Sequence, residues 1–132
     1  MLAMTIINPK WIKDPQHAKD LKDIQRMMDA KEYREKSQAM ISEKEFQAQV
    51  IKMARLLAWR VYHTFDSRRS ESGFPDLCMA RWGRLIFAEL KSEKGRLTPA
   101  QDRWADVLKR VSGAEVYEWR PHDWDSITEI LK

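Results

Sequence analysis

The sequence predicts an α/β fold in which a mixed sheet is flanked by helices. Apolar residues recur at three- and four-residue spacing in some segments and alternate in others, as in amphipathic helices and half-buried strands. Two of the helical segments begin with good capping residues, Ser42 and Thr98. The segments follow the order helix, three strands, helix, strand, helix, which favours a mixed sheet between helical layers.

Length and composition indicate one globular domain with a short extension. The chain has 132 residues, of which 43% are hydrophobic and 33% charged. The net charge of +4 permits binding to a polyanion without requiring it. Cys78 is the single cysteine, which excludes an intrachain disulfide, and no apolar run is long enough to span a bilayer. We therefore expect a cytoplasmic protein that makes no membrane contact.

Residues 1–41 are predicted to form an N-terminal helical extension, and residues 42–132 the domain itself. Within residues 15–41, apolar side chains recur at helical spacing among many charges: Ala18, Leu21, Ile24, Met27 and Met28. Such a helix can pack on its own domain or provide a dimer contact, and the sequence leaves both open.

The first helix of the domain is predicted to begin after Ser42 and to run to about Trp59. Glu45, three residues after Ser42, would complete a capping box. The buried stripe of this helix consists of Phe46, Val50, Met53, Ala54 and Leu57. Glu43 lies beside that stripe at the helix start, where it can face the positive helix terminus or a metal ion.

The next segments are predicted to be a strand at 61–65, a polar loop, and a hairpin of strands 76–82 and 85–91 that turns at Gly83–Arg84. Alternation places Glu89 and Lys91 on the face that also holds Phe87. Counting back from the turn, Asp76 is expected opposite position 90 or 91. The hairpin therefore brings two carboxylates and one ammonium group to a single sheet edge.

The remaining segments are a helix, a strand and a final helix. Thr98 is predicted to cap the helix, with Pro99 at its first position, and the helix is predicted to end at about Val111. A fourth strand is predicted at 115–119, and Pro121 is predicted to open the last helix.

Paired carboxylates at a sheet edge suit a hard divalent cation such as Mg²⁺, which prefers oxygen ligands. Such an ion can polarise a phosphodiester and stabilise the charge of an in-line displacement. Lys91 can then orient the attacking water or stabilise the developing negative charge. The alternative is a surface aspartate beside a Glu89–Lys91 ion pair.

Four motifs resemble the VRR-NUC (virus-type replication-repair nuclease) branch of the PD-(D/E)XK, or restriction-endonuclease-like, superfamily over about residues 42–131. In order, they are Glu43-x-x-Phe46-Gln47, Gly73–Phe74–Pro75–Asp76, Glu89–Leu90–Lys91 and Leu97–Thr98–Pro99–Ala100–Gln101. The resemblance implies a core of order α-β-β-β-α-β-α. One departure is Ala58, where the family pattern has a helix-ending glycine, and we expect a shifted helix end there.

The resemblance also implies the residues that hold the metal. Asp76 and Glu89 resemble the metal-binding carboxylates, and the carbonyl of Leu90 is a possible further ligand. Glu43 resembles the helix carboxylate that reaches the same site. Glu45 is the competing candidate on the first helix, but its position on the helix turns it away from the buried stripe.

The resemblance further assigns Lys91 as the catalytic lysine and Gln101 as the helix glutamine near the active centre. Four basic residues in neighbouring loops are candidate DNA contacts, with solvated loops as the alternative: Arg68, Arg69, Lys94 and Arg96. Most of the six tryptophans are interpreted as packing residues. Base stacking is the alternative for them.

The activity that the resemblance implies is a Mg²⁺-dependent deoxyribonuclease, with Mn²⁺ as a substitute, acting on branched DNA such as a four-way (Holliday) junction. A junction has two-fold symmetry, so we expect a homodimer. Stand-alone members are often phage-encoded, which implies a bacterial host cytoplasm. Two alternatives remain: a nuclease of the same fold acting on other DNA, of restriction or DNA-end type, and a catalytically silent DNA-binding module. Intact Asp76, Glu89 and Lys91 argue against the silent module.

Overall fold

The computed structural model describes residues 19, 21–23, 26, 41–65 and 68–132. It has the predicted mixed α/β class, with a four-stranded sheet flanked by helices. The elements in chain order are α1 (Glu43–Leu56), β1 (Arg60–His63), β2 (Leu77–Arg81), β3 (Arg84–Leu90), α2 (Pro99–Lys109), β4 (Ala114–Trp119), a 3-10 turn (Pro121–Asp123) and α3 (Trp124–Leu131).

The sheet has the order β1-β2-β3-β4, with the first three strands antiparallel and β4 parallel to β3. Residues of β2 and β3 that face α1 are fully buried, among them Leu77, Met79 and Ile86. The stripe of α1 predicted from the sequence packs against them, and α3 adds Ile127 and Leu131 to the same core. The core therefore lies between one sheet face and the helices α1 and α3.

The prediction for the N-terminal extension falls mostly outside the described residues, including Ala18, Ile24, Met27 and Met28. Of residues 1–41, the structure describes residues 19, 21–23 and 26, which are helical, and residue 41, which is not. Leu21 is half-buried and packs against the core. The boundary between extension and domain at residues 41 and 42 stays a prediction.

The predicted hairpin turn at Gly83–Arg84 is wrong by one residue. The turn residues are Trp82 and Gly83, both with positive φ, 47° and 81°. A two-residue hairpin turn with positive φ at both positions matches the right-handed twist of the strands. The shift moves the register, so that Leu77 pairs with Ala88. Extended by one position, this register sets Asp76 opposite Glu89 and not opposite position 90 or 91.

Helix α1 ends at Leu56, earlier than the predicted end at Trp59. Ala58 adopts a left-handed φ of 70°, and the Trp59 N–H donates to the Ala54 carbonyl at 2.9 Å. This hydrogen bond is typical of a helix that ends with a residue in the left-handed conformation, and glycine is the usual residue there. Ala58 adopts that conformation in the place where the family pattern has glycine.

Candidate active site

Four chain segments meet at one edge of the sheet. Glu43 lies at the start of α1, and Asp76 lies directly before β2. Glu89 lies near the end of β3, and Gln101 lies near the start of α2. The antiparallel pairing of β2 with β3 joins two of these segments directly. The site therefore depends on the tertiary fold and not on one continuous motif.

The three carboxylates Glu43, Asp76 and Glu89 each offer an oxygen atom, and these atoms lie within 4.8 Å of one another. The Leu90 N–H donates to Asp76 Oδ2 at 2.9 Å, which fixes the aspartate against the end of β3. The Asp76 carbonyl in turn accepts from the Thr64 N–H at 3.1 Å. Main-chain bonds on both sides thus hold Asp76 beside Glu89.

Glu43 and Glu45 have different surroundings at the start of α1. Glu45 Oε2 accepts from the Ser42 N–H and the Ser42 hydroxyl accepts from the Glu45 N–H, so the predicted capping box is confirmed. Glu43 is the one that joins the carboxylate cluster. Burial raises the pKa of Glu43, the charge of Asp76 raises it further, and Lys91 and Arg120 lower it.

Glu89 is the most buried of the three carboxylates, with 8% of its surface exposed. Its Oε1 accepts from Gln101 Nε2 at 2.8 Å and lies 3.8 Å from Lys91 Nζ. Its Oε2 is buried with no hydrogen-bond partner among the described residues. Burial, followed by the charge of Asp76, raises the pKa of Glu89 to about 8.

These features fit a divalent cation. A buried carboxylate oxygen without a partner costs free energy unless a donor or a cation satisfies it. Burial and then the negative charge of Asp76 raise the pKa of Glu89, and a bound cation would offset both effects on the ionised carboxylate. Oxygen donors without nitrogen or sulfur suit Mg²⁺ or Mn²⁺. The side chains of Glu43, Asp76 and Glu89 would hold the ion, and the Leu90 carbonyl stays a predicted ligand.

Gln101 is oriented by its own helix cap. Its Oε1 accepts from the Thr98 N–H at 2.8 Å, while the Thr98 hydroxyl accepts from the Gln101 N–H. Because the amide oxygen is used in this way, the amide NH₂ group is directed to Glu89. One capping box therefore both starts α2 and supplies a donor to the carboxylate cluster.

Lys91 follows the last residue of β3 and is 8% exposed. Its main-chain N–H donates to the Trp119 carbonyl at 3.0 Å, which ties the lysine to the end of β4. Its ammonium group approaches Glu89 at one edge of the carboxylate cluster. The buried ammonium group of Lys91 can stabilise a negative charge that develops next to these carboxylate oxygens.

Arg120 is a site residue that the sequence analysis did not identify. Its Nη1 donates to the Ser92 carbonyl at 2.7 Å, and its charge lowers the pKa of Glu43. The guanidinium therefore braces the segment that follows Lys91 and adds positive charge to the site. No local motif marks Arg120, because the parallel pairing of β4 with β3 is what brings residues 92 and 120 together.

The four predicted DNA-contact residues lie in two loops that leave this edge of the sheet. Arg68 and Arg69 are exposed between β1 and β2, and Lys94 and Arg96 are exposed between β3 and α2. The first loop leads along the chain to Asp76, and the second loop follows Lys91. Their contact with DNA stays a prediction.

The segment Gly73–Asp76 packs closely against helix α2, so that two of the sequence motifs are in contact. Gly73 has a φ of 85°, and a Cβ added there would lie 2.4 Å from the Ala100 carbonyl carbon. Phe74 packs edge-on against Phe87 and Trp104 with ring centroids 5.9 and 5.0 Å apart. The loop that leads to Asp76 is therefore seated directly on the start of α2.

Among the described helices, none is both long and apolar enough to cross a membrane. Searches of curated proteins and of solved structures find no match to the chain. A family model does match: the VRR-NUC domain, over residues 9–120. This match covers most of the chain and begins upstream of the region in which the motifs were recognised. The chain therefore belongs to the VRR-NUC family and is a nuclease domain whose partner is DNA.

Proposed function

We propose that the chain is a metal-dependent endonuclease that hydrolyses DNA phosphodiester bonds at the cluster of Glu43, Asp76 and Glu89. The observation that supports this most is the convergence of their oxygen atoms within 4.8 Å, in a site where Glu89 Oε2 is buried with no hydrogen-bond partner in the described part of the chain. Mg²⁺ is the proposed ion, and Mn²⁺ its substitute. When bound, the ion polarises the phosphodiester and offsets the charge of the transition state.

The side chains around the ion have separate proposed tasks. Asp76 and Glu89 hold the ion, and Glu43 adds a third carboxylate from the start of α1. Lys91 stabilises developing negative charge or orients the attacking water. Gln101 holds Glu89 in the orientation that binds metal, because its donated hydrogen bond satisfies one carboxylate oxygen and leaves the other.

We further propose that the chain prefers branched DNA, such as four-way junctions, and acts as a homodimer. The support for this is the motif resemblance and the two-fold symmetry of a junction, which matches two related active sites. No segment of the sequence matches a known base-reading recognition helix, and we therefore propose recognition of DNA shape over sequence.

Cleavage of labelled DNA by the wild type and by Asp76→Ala tests the proposal. The substrates are a four-way junction, a flap and a linear duplex, each with Mg²⁺, with Mn²⁺ and with EDTA. We expect cutting only with metal, fastest on the junction, and a loss of at least about a hundredfold in Asp76→Ala. Asp106→Ala, which removes an exposed carboxylate of α2 outside the cluster, serves as the matched control.

Three outcomes would contradict parts of the proposal. Cutting that persists in EDTA would contradict the metal requirement. Equal rates on all three substrates would contradict the preference for branches and leave the nuclease activity intact. DNA binding without cutting in any metal would favour the catalytically silent module.

A further inference from the structure

The tip of the β2–β3 hairpin lies at the opposite end of the sheet from the carboxylate cluster. An open pocket of about 430 Å³ lies there, and its lining includes Arg60, Arg81, Trp82, Gly83, Arg84 and Leu85. Strand β3 runs from Arg84 at this end to Leu90 at the catalytic end. At roughly 3.3 Å per residue, the two ends are about 20 Å apart.

Trp82 has an exposed ring in a disfavoured backbone conformation. Its φ is 47° and its surface is 56% exposed. Asparagine and glycine suit such turn positions, whereas a bulky residue with positive φ is uncommon. Burial in the core does not account for a ring that stays in solvent. Backbone strain of this kind clusters at binding sites.

The ring is also held in place by a cation. The guanidinium of Arg81 lies 4.4 Å from the Trp82 ring centre and 4.6 Å from that of Trp59. Arg81 is itself anchored, because its Nη1 donates to the Leu57 and Leu131 carbonyls at 2.9 and 2.8 Å. The indole is therefore supported from one side as a fixed platform.

The hairpin tip is positively charged. Arg81 is buried, its Nη1 and Nη2 atoms donate to main-chain oxygens, and its Nε has no acceptor among the described residues. Burial and the neighbouring Arg84 lower the pKa of Arg81 to about 10, which leaves it protonated at neutral pH. Glu115 pairs with Arg84, but Arg60 is exposed and has no ion-pair partner in the described part of the chain.

We propose that this hairpin-tip site, formed by Arg60, Arg81, Trp82 and Arg84, binds an unpaired stretch of the DNA substrate. A base stacks on the exposed Trp82 ring, and Arg60 contacts the adjoining phosphate. Stacking on an aromatic ring accepts any base, and arginine is suited to phosphate. The inference rests on the proposed function in taking DNA as the ligand.

Such a site gives the chain a physical means of selecting branched DNA. Bases are unpaired in flaps and at frayed branch points, whereas in linear duplex they are stacked within the helix. The span of about 20 Å corresponds to about six base pairs of duplex at roughly 3.4 Å each. A substrate with an unpaired strand at that distance from the cleaved bond can occupy both sites on one chain.

Fluorescence anisotropy in EDTA tests the proposal without cleavage. The probes are a fluorescein-labelled flap DNA and the matching linear duplex. Trp82→Asn removes the ring with a residue that suits positive φ, so the turn is retained. We expect this variant to bind the flap about tenfold more weakly, as for the loss of one base stack, and to bind the duplex like the wild type.

Arg60→Gln is the second variant, and Arg103→Gln, which changes an exposed arginine of α2, is its matched control. We expect Arg60→Gln to bind the flap more weakly than the wild type, and Arg103→Gln to bind it like the wild type. Unchanged flap binding in Trp82→Asn, or an equal loss on flap and duplex, would overturn the inference. Binding is measured without metal and therefore does not depend on cleavage. If the protein prefers the flap through Trp82 but cuts no DNA in any metal, only the nuclease proposal is contradicted.

Discussion

Gln101 shows how one side chain can serve both the helix and the site. Its amide oxygen completes the cap of α2, and its amide nitrogen is 2.8 Å from Glu89 Oε1. We expect Gln101→Glu to keep the capping box, with a free energy of unfolding within about 1 kcal/mol of wild type. Cleavage should fall by about ten- to a hundredfold, because a carboxylate cannot donate to Glu89.

Urea unfolding and cleavage rates measured on the same preparations check this prediction. Gln101→Ala is the comparison, since it removes both roles and should also destabilise the protein by about 1 kcal/mol. Wild-type cleavage by Gln101→Glu would show that the donated hydrogen bond has no part in catalysis.

Glu89 should make the stability of the metal-free protein depend on pH. Burial raises its pKa from 4.5 to about 8, so the folded state holds this proton more tightly than the unfolded chain. The contribution of protonated Glu89 to the free energy of unfolding is therefore complete below pH 4.5 and is lost as the pH rises to about 8. We expect the thermal midpoint in EDTA to fall over this window, and to fall less in Glu89→Gln.

Bound Mg²⁺ should offset the loss of stability at high pH, because the cation replaces the proton on the carboxylate. The rise in thermal midpoint on adding Mg²⁺ should therefore be larger at about pH 9 than at about pH 6. Matching pH profiles for Glu89→Gln and wild type in EDTA would refute the assignment of this titration to Glu89.

At the scale of elements, the contact between Gly73 and α2 joins two of the four motifs. We expect Gly73→Ala to destabilise the fold by more than about 2 kcal/mol, because it adds a collision with Ala100 to the cost of a positive φ. Gly83→Ala is the matched control, since its φ is also positive but, apart from its two chain neighbours, no described residue has an atom within 4 Å of the added Cβ. Equal losses in urea unfolding would show that the close approach to Ala100 contributes nothing.

Elements with strong local signals were predicted correctly from the sequence. Ser42 with Glu45, and Thr98 with Pro99, mark the starts of α1 and α2 because a cap is a contact between near neighbours. The hairpin turn was misplaced because Trp82 has a positive φ, which its residue type does not indicate. That error moved the expected partner of Asp76 by one or two positions.

At the scale of the whole molecule, the site is assembled by sheet order. The sequence indicated that Asp76 and Glu89 approach each other, because one hairpin joins them. It could not indicate Arg120, whose bond to Ser92 requires β4 to pair in parallel with β3. Contacts between distant segments depend on topology, and residue spacing alone does not encode that topology.

The hairpin-tip site likewise depends on the assembled fold and could not be predicted from the sequence. Alternation and charge indicated a strand ending near Trp82, but they did not indicate that its ring would lie exposed over Arg81. One sheet therefore has the cluster of three carboxylates at one end and the exposed Trp82 ring with its neighbouring arginines at the other. This polarity belongs to the assembled sheet and not to any single motif.

We propose that Glu43, Asp76 and Glu89 together bind a divalent cation. The decisive measurement is a calorimetric titration of the metal-free protein with Mn²⁺. We predict saturable binding by the wild type and by the control Asp106→Asn, and at least about tenfold weaker binding in Asp76→Asn and Glu89→Gln. Wild-type affinity in both cluster variants would contradict the claim.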